Sequence, residues 1–209
     1  MKLMKKLKIG GAEYKVIRGK ETEEEYVGYH DYHRGIIKIS KTHSGEVRND
    51  RLILETVLHE VIHAVSSVWL DDRLTEKAVT KLSLALFAFF ADNDLMLRSK
   101  EIPKQVKYMG FIYDLVYPVP DGIEIDVDSR FSVSNTKICK IYITFDDDDC
   151  VYYIKSLLLR TILKMVIDLY GGFSESEVDD IYDSNFYQGL YQAIVDNKID
   201  ELIYKGCNK

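Results

Sequence analysis

Residues 51–72 read RLILETVLHEVIHAVSSVWLDD. Ile53, Val57, Val61, Val65 and Val68 recur at spacings of three or four, the period of a helix with one apolar face, and predict a helix from about Arg48 to Leu70. In its middle stands His59-Glu60-Val61-Ile62-His63. Positions i and i+4 share a helix face one turn apart, so the two imidazoles can reach one metal ion. Glu60 lies on a neighbouring face, where it can serve a water at that ion as general base. Zn²⁺ suits neutral imidazole and carboxylate ligands, and three protein ligands leave a position open for water. A scissile carbonyl in a peptide or amide bond is the natural target of that chemistry. The bland alternative is a plain helix that carries two histidines by chance. The apolar flanks at helical period, and the strand and polar turn before them, weigh against it.

The same helical pattern returns 100 residues later, in VYYIKSLLLRTILKMVIDLYGG at 151–172. Leu54 matches Ile154, Leu58 matches Leu158, Ile62 matches Ile162 and Val65 matches Met165. Upstream, Gly11-Ala12-Glu13-Tyr14-Lys15-Val16 parallels Gly110-Phe111-Ile112-Tyr113-Asp114-Leu115. Self-similarity at a fixed offset is the mark of a repeat. Each half then has one order. Strands are expected over Ala12–Ile17 and Gly35–Ser40, and over Phe111–Tyr117 and Ile138–Ile143, from short β-branched runs. A long helix follows, to about Leu70 or from Asp149 to Leu169. A second helix closes each unit, from Leu74 to Asp92 or from Ser176 to Asn197. The short link Asp71-Asp72-Arg73 implies that the first helix pair packs antiparallel. The expected fold is α+β: two tandem units, 1–100 and 101–209, each a small sheet followed by an antiparallel helix pair. The boundary falls in the polar stretch from Ser99 to Gln105. In the second unit the positions of His59, Glu60 and His63 are held by Leu159, Arg160 and Leu163, which cannot form this metal site.

Two imidazoles need a third ligand. Glu76, in the first turn of the second helix, is the best-placed acid, because a short reversal brings that turn beside the end of the first helix. Its competing reading is electrostatic support of the helix start. Asp71 and Asp72 in the turn, and Asp92 and Asp94 at the far end, are less well placed. His30, His33 and His43 are further candidates and read more simply as loop or strand surface.

The string Glu55-Thr56-Val57-Leu58-His59-Glu60-Val61-Ile62-His63-Ala64, the short turn, and the helix from Leu74 through Ala85-Leu86 to Asp92-Asn93 resemble the small phage- and prophage-type zinc peptidases, minimal zincins of the gluzincin kind. Asp31-Tyr32-His33-Arg34-Gly35-Ile36-Ile37-Lys38-Ile39 is similar to their Asp-x-x-x-x-x-Ile-x-Ile strand. The resemblance covers residues 8 to 95. It implies a small sheet, an active-site helix and a glutamate-bearing helix, with zinc ligands at His59, His63 and Glu76 and Glu60 as catalytic base. The metzincin continuation is absent, since Ser66 and Trp69 stand where Gly and His would be required. Against the peptidase stand two rivals: a non-catalytic zincin-like binding or regulatory protein of a phage or mobile element, and a hydrolase of non-peptide amides.

Composition narrows the partners. The chain has 209 residues, 46% apolar and 30% charged, an ordinary globular mixture. Its formal charge of -6 gives no general basic field, so nucleic acid is not an expected partner. The basic start, Met1 to Lys8, has no apolar region behind it and does not read as a secretory signal. The longest unbroken apolar run, Leu84 to Ala91, is far short of a bilayer span of ~20 residues. Three sparse cysteines, Cys139, Cys150 and Cys207, form no disulfide framework and no zinc knuckle. The expectation is a cytoplasmic protein acting on a peptide or protein. Asp146-Asp147-Asp148-Asp149 lacks the spacing of a calcium loop, Glu21 to Glu25 reads as a solvated charged loop, and Trp69, Phe87, Phe89 and Phe90 read as core.

Overall fold

The computed structural model describes residues 4–19, 26–95, 97, 101–117, 132–135, 140–143 and 151–208. Glu21 to Glu25, the Asp146–Asp149 run, Cys139 and Cys150 lie outside them. Strands β1 (Lys6–Ile9) and β2 (Ala12–Gly19) pair antiparallel with Ile9 opposite Ala12. The loop is therefore Gly10 and Gly11 alone, at φ 57° and 81°. A two-residue hairpin of this hand needs left-handed backbone at both positions, which glycine adopts without strain. Strand β3 (Gly28–Asp31) runs antiparallel along the outer edge of β4 (Ile36–Ser40), and β4 lies parallel to β2. The order is β1-β2-β4-β3. A small hairpin of β5 (Thr42–His43) and β6 (Glu46–Val47) leads into the first helix.

The second half builds its sheet on the same plan. Strands β7 (Gln105–Tyr108) and β8 (Phe111–Val116) form a two-residue hairpin with Met109 at φ 50° and Gly110 at φ 83°. Strand β9 (Ser132–Asn135) pairs antiparallel with β10 (Lys140–Ile143), which is parallel to β8. The order β7-β8-β10-β9 repeats the first sheet strand for strand, with the same directions. Alternate residues face inward: Leu7, Ile9, Tyr14, Val16, Ile37 and Ile39 in one sheet, and Val106, Tyr108, Tyr113, Leu115, Ile141 and Ile143 in the other. This one-sided burial is what a sheet covered on a single face requires.

Helix α1 (Asp50–Trp69) starts where the Asn49 side chain accepts from Leu52 N at 2.9 Å. Its apolar face is buried at Ile53, Leu54, Val57, Leu58, Val61, Ile62 and Val65. Each fully covered Leu or Ile contributes roughly 2 kcal/mol. By length and composition α1 could cross a membrane, but in this fold it is a core helix. Asp71 and Asp72, at φ 49° and 60°, reverse the chain into α2 (Glu76–Asp92). Glu55 lies opposite Ser83, and His63 opposite Glu76, so α1 and α2 are antiparallel. Helix α3 (Val151–Tyr170) takes the place of α1 in the second half.

The second half then departs from expectation. The single helix read over Ser176–Asn197 is two, α4 (Glu175–Tyr182) and α5 (Ser184–Asn197). Asp183 divides them because its carboxylate accepts from Asn185 N at 2.8 Å, a cap that starts a new helix. A further helix, α6 (Ile199–Cys207), follows Lys198 at φ 54°. The described residues thus form a mixed α+β fold with six helices and several small sheets. One buried cluster runs from Leu7 to Ile203, with α2 against α3 and α6 and α1 against α5. Phe87, Phe89 and Phe90 are in it, but Trp69 is not: it is 42% exposed. The indole ends α1 and lies against Gly189 of α5, where a Cβ would strike it.

Candidate metal centre

Helix α1 supplies two candidate ligand atoms one turn apart and α2 supplies the third. His59 Nε2 and His63 Nε2 are 3.1 Å apart. Glu76 Oε1 is 3.1 Å from His59 Nε2, and Glu76 Oε2 is 2.9 Å from His63 Nε2. Among the described residues, His59, His63 and Glu76 are a group able to hold a metal ion. The spacing can be tested against a real coordination shell. Ligand atoms at about 2.0–2.2 Å in a tetrahedron stand about 3.3 Å from one another. The observed triangle is within a few tenths of an ångström of that, and its donors are two imidazoles and a carboxylate. Glu76 is 72% exposed, so one side of the triangle is open to solvent, as a site that must admit water and substrate requires.

The surroundings support that use. Burial, with the neighbouring His63 imidazole, holds His59 below its ordinary pKa. It is therefore kept neutral, the form a metal needs. The far nitrogen, His59 Nδ1, lies 3.4 Å from Ser83 Oγ, and Ser83 Oγ donates to Glu55 Oε1 at 2.9 Å. This chain aims Nε2 at the triangle in the manner of the carboxylate partners of metal-bound imidazoles. Glu55 is itself pushed up by burial, against the pull of the Ser83 hydrogen bond and Arg48.

Glu60 is 5% exposed. Burial first, and then the carboxylates of Glu76 and Glu55, push its pKa up to about 8. A buried carboxyl beside open coordination space is the pattern of a general base, and a divalent cation would draw the value down again. The space for its side chain comes from Gly28 on β3. A Cβ there would strike Glu60 Oε1 and lie 2.6 Å from Thr56 Cγ2. Arg48 ties the strand to the helix: its Nη1 donates to Ser40 O at 3.0 Å and Val27 O at 3.3 Å, and its Nη2 to Thr56 Oγ1 at 2.6 Å and Leu52 O at 2.9 Å.

Of the other candidates, His30 lies within electrostatic reach of His63. It packs on Tyr14 at 5.6 Å between ring centroids, its Nε2 is buried with no hydrogen-bond partner among the described residues, and burial, then His63, lowers its pKa. His33 sits on Tyr32, and His43 is on β5; both are exposed. Asp72 accepts from Ser67, Asp71 is in the exposed turn, and Asp92 and Asp94 line a cavity at the far end of α2. In the second half Leu159 and Leu163 are buried, and Arg160 lies over the Tyr187 ring at 5.6 Å. Gly28, Arg48, Ser83 and Glu55 were not singled out by the sequence, because each acts through a contact distant along the chain. Comparison with protein-family models, with curated proteins and with solved structures finds no match.

Proposed function

We propose that the protein is a zinc-dependent peptidase. The observation that carries the reading is the convergence of His59, His63 and Glu76 on one point, with Glu60 buried beside it. His59 and His63 through Nε2, and Glu76 through its carboxylate, would hold the ion. A zinc ion there supplies Lewis acidity, lowering the pKa of water and polarising a carbonyl. Glu60 takes the proton from the attacking water and delivers it to the leaving amine. His59 is oriented by Ser83, and Glu60 by the space that Gly28 leaves.

An extended peptide is the substrate class that the surroundings favour. Among the described residues strand β3 pairs on one side only, with β4, and it packs on α1 beside Glu60. A strand edge that no other described strand covers offers backbone donors and acceptors to a peptide in extended form. The repeated strand order supports reading the chain as two tandem zincin-like units, residues 1–100 and 101–209, of which the second has lost its metal.

The test uses the full chain with zinc and a quenched-fluorescent library of unstructured peptides. Wild type cleaves the library, and Glu60→Gln retains zinc while losing cleavage. Equal cleavage by Glu60→Gln refutes the mechanism. The second reading, a zincin-like module without catalysis, is favoured by the apolar Leu159 and Leu163 of the other half. It predicts zinc or peptide binding with no turnover in either protein.

A further inference from the structure

Glu76 is the least constrained member of the triangle. It is exposed, and beyond the imidazoles its one other side-chain hydrogen bond among the described residues is a long one, from Thr80 Oγ1 at 3.4 Å. Its position depends on where the start of α2 is held. The contacts that hold it come from the other half of the chain.

One residue before Glu76, Thr75 Oγ1 accepts from Ala78 N at 3.2 Å as the cap of α2, and donates to Glu177 Oε1 of α4. The other oxygen of that carboxylate, Oε2, accepts from Ser174 N at 2.8 Å, within the capping box of α4. One carboxylate thus joins the first turns of two helices from different halves. Three residues before Glu76, Arg73 Nη1 pairs with the buried Asp180 at 2.8 Å. Five residues after it, Lys81 Nζ donates to the carbonyls of Gly171 and Gly172, each at 2.8 Å, and lies 5.0 Å from the Phe173 ring centroid. Gly171 and Gly172, at φ 59° and 70°, turn both carbonyls to one ammonium group. A Cβ on Gly172 would sit 2.5 Å from Nζ. The hydrogen bonds from Thr75 and Ser174 hold the Glu177 carboxyl below its usual range, so it accepts as an anion.

We infer that the segment Gly171–Asp180 is a positioning clamp for the metal centre, in which Glu177 and Asp180 fix the start of α2 where Glu76 meets His59 and His63. The inference rests on the zinc reading above. The physical demand is tolerance: a ligand must be held to within about 0.5 Å of its working place. Removal of such outer contacts typically lowers metal affinity 10–100-fold. The second half, which has no such triad among its described residues, therefore completes that of the first.

The test is zinc affinity of the full chain, measured by competition with a chromophoric chelator, alongside urea unfolding. Wild type, Glu177→Ala, Glu177→Ala/Asp180→Ala, Glu177→Gln and Ile141→Val are compared. Ile141 is buried in β10 and away from α2, so it controls for loss of stability alone. The double variant is expected to bind zinc at least tenfold more weakly than wild type. Glu177→Gln, whose amide oxygen can still accept from Thr75, recovers part of the loss, and Ile141→Val matches wild type. Zinc affinity unchanged in the double variant, or lowered as much in Ile141→Val, overturns the clamp and leaves the zinc reading standing. A wild-type chain that takes up no zinc overturns both.

Discussion

Helices α1 and α3 occupy matching places, α1 against β3 and β4 and α3 against β9 and β10, in sheets of one strand order. At the centre of α1 stand His59, Glu60 and His63. At the centre of α3 stand Leu159, Arg160 and Leu163, the two leucines fully buried and the arginine laid over Tyr187. One framework carries a polar cluster at this place in one half and buried leucines in the other. The fold itself, then, does not need the histidines. The two positions that stabilise α3 by buried leucines hold in α1 the half-buried imidazoles of His59 and His63, and the position of Arg160 holds the buried carboxyl of Glu60, pushed up to about 8.

The largest contrast is in activity. Glu60→Gln is expected to lower peptide cleavage by about 10³-fold or more, in the range that general-base removal commands, while the equivalent Arg160→Gln leaves cleavage within a few-fold of wild type. Initial rates at saturating zinc check it, and an equal effect from both would erase the distinction between the halves.

Next is the pH dependence of stability in chelator-treated protein. Glu60 has a folded pKa of about 8 against an ordinary 4.5. The folded state therefore favours its protonated form, and that contribution is fully present below pH 4.5 and lost as pH rises through 8. The loss is on the order of 5 kcal/mol as an upper bound. Glu60→Gln removes it, so the variant gains on wild type as pH rises. His59 and His30, both lowered, act in the opposite direction: their contribution is present above the ordinary value of 6.5 and lost as pH falls. Subtracting the urea-unfolding profiles of wild type and Glu60→Gln isolates Glu60. A flat difference between pH 5 and 8 would contradict its placement.

Leu163→His sharpens the comparison from the other side. An imidazole placed among apolar residues without a partner costs about 2–4 kcal/mol, whereas His63→Leu in metal-free protein costs little or stabilises. Equal costs would show the two interiors to be alike. A smaller effect is expected from Gly28→Ala, whose methyl group crowds Glu60 and Thr56 and costs about 1–3 kcal/mol by overpacking. Thermal melts with and without zinc measure it, and an unaltered melting temperature would mean that β3 is not seated on the Glu60 carboxyl.

Much of this was legible along the chain, for reasons of period. The apolar spacing of three and four placed α1, α2 and α3 to within two residues at their described ends, and the two imidazoles one turn apart pointed at once to a group able to hold a metal ion. Glu76 was accessible because a short turn constrains what can face the end of α1. The strands Lys6–Ile9 and Gln105–Tyr108 were missed: four residues of alternating Lys, Gln and apolar character give a weak signal. So was Gly28–Asp31, which has no β-branched residue. The break at Asp183 hid inside a run that otherwise continues a helical period. The contacts of Gly28 with Glu60, of Ser83 with His59 and of Glu177 with Thr75 join residues 24 to 102 positions apart. No local pattern reports such pairs.

The convergence of three side chains on one ion is tested most directly by zinc content together with X-ray absorption at the zinc edge, after dialysis of the full chain against zinc and then buffer. About one zinc per chain is expected, bound by two imidazole nitrogens and a carboxylate at about 2.0–2.2 Å, and lost on replacing His63 with Leu. A chain that emerges without zinc, or zinc that persists unchanged when His59, His63 and Glu76 are each replaced, would contradict it.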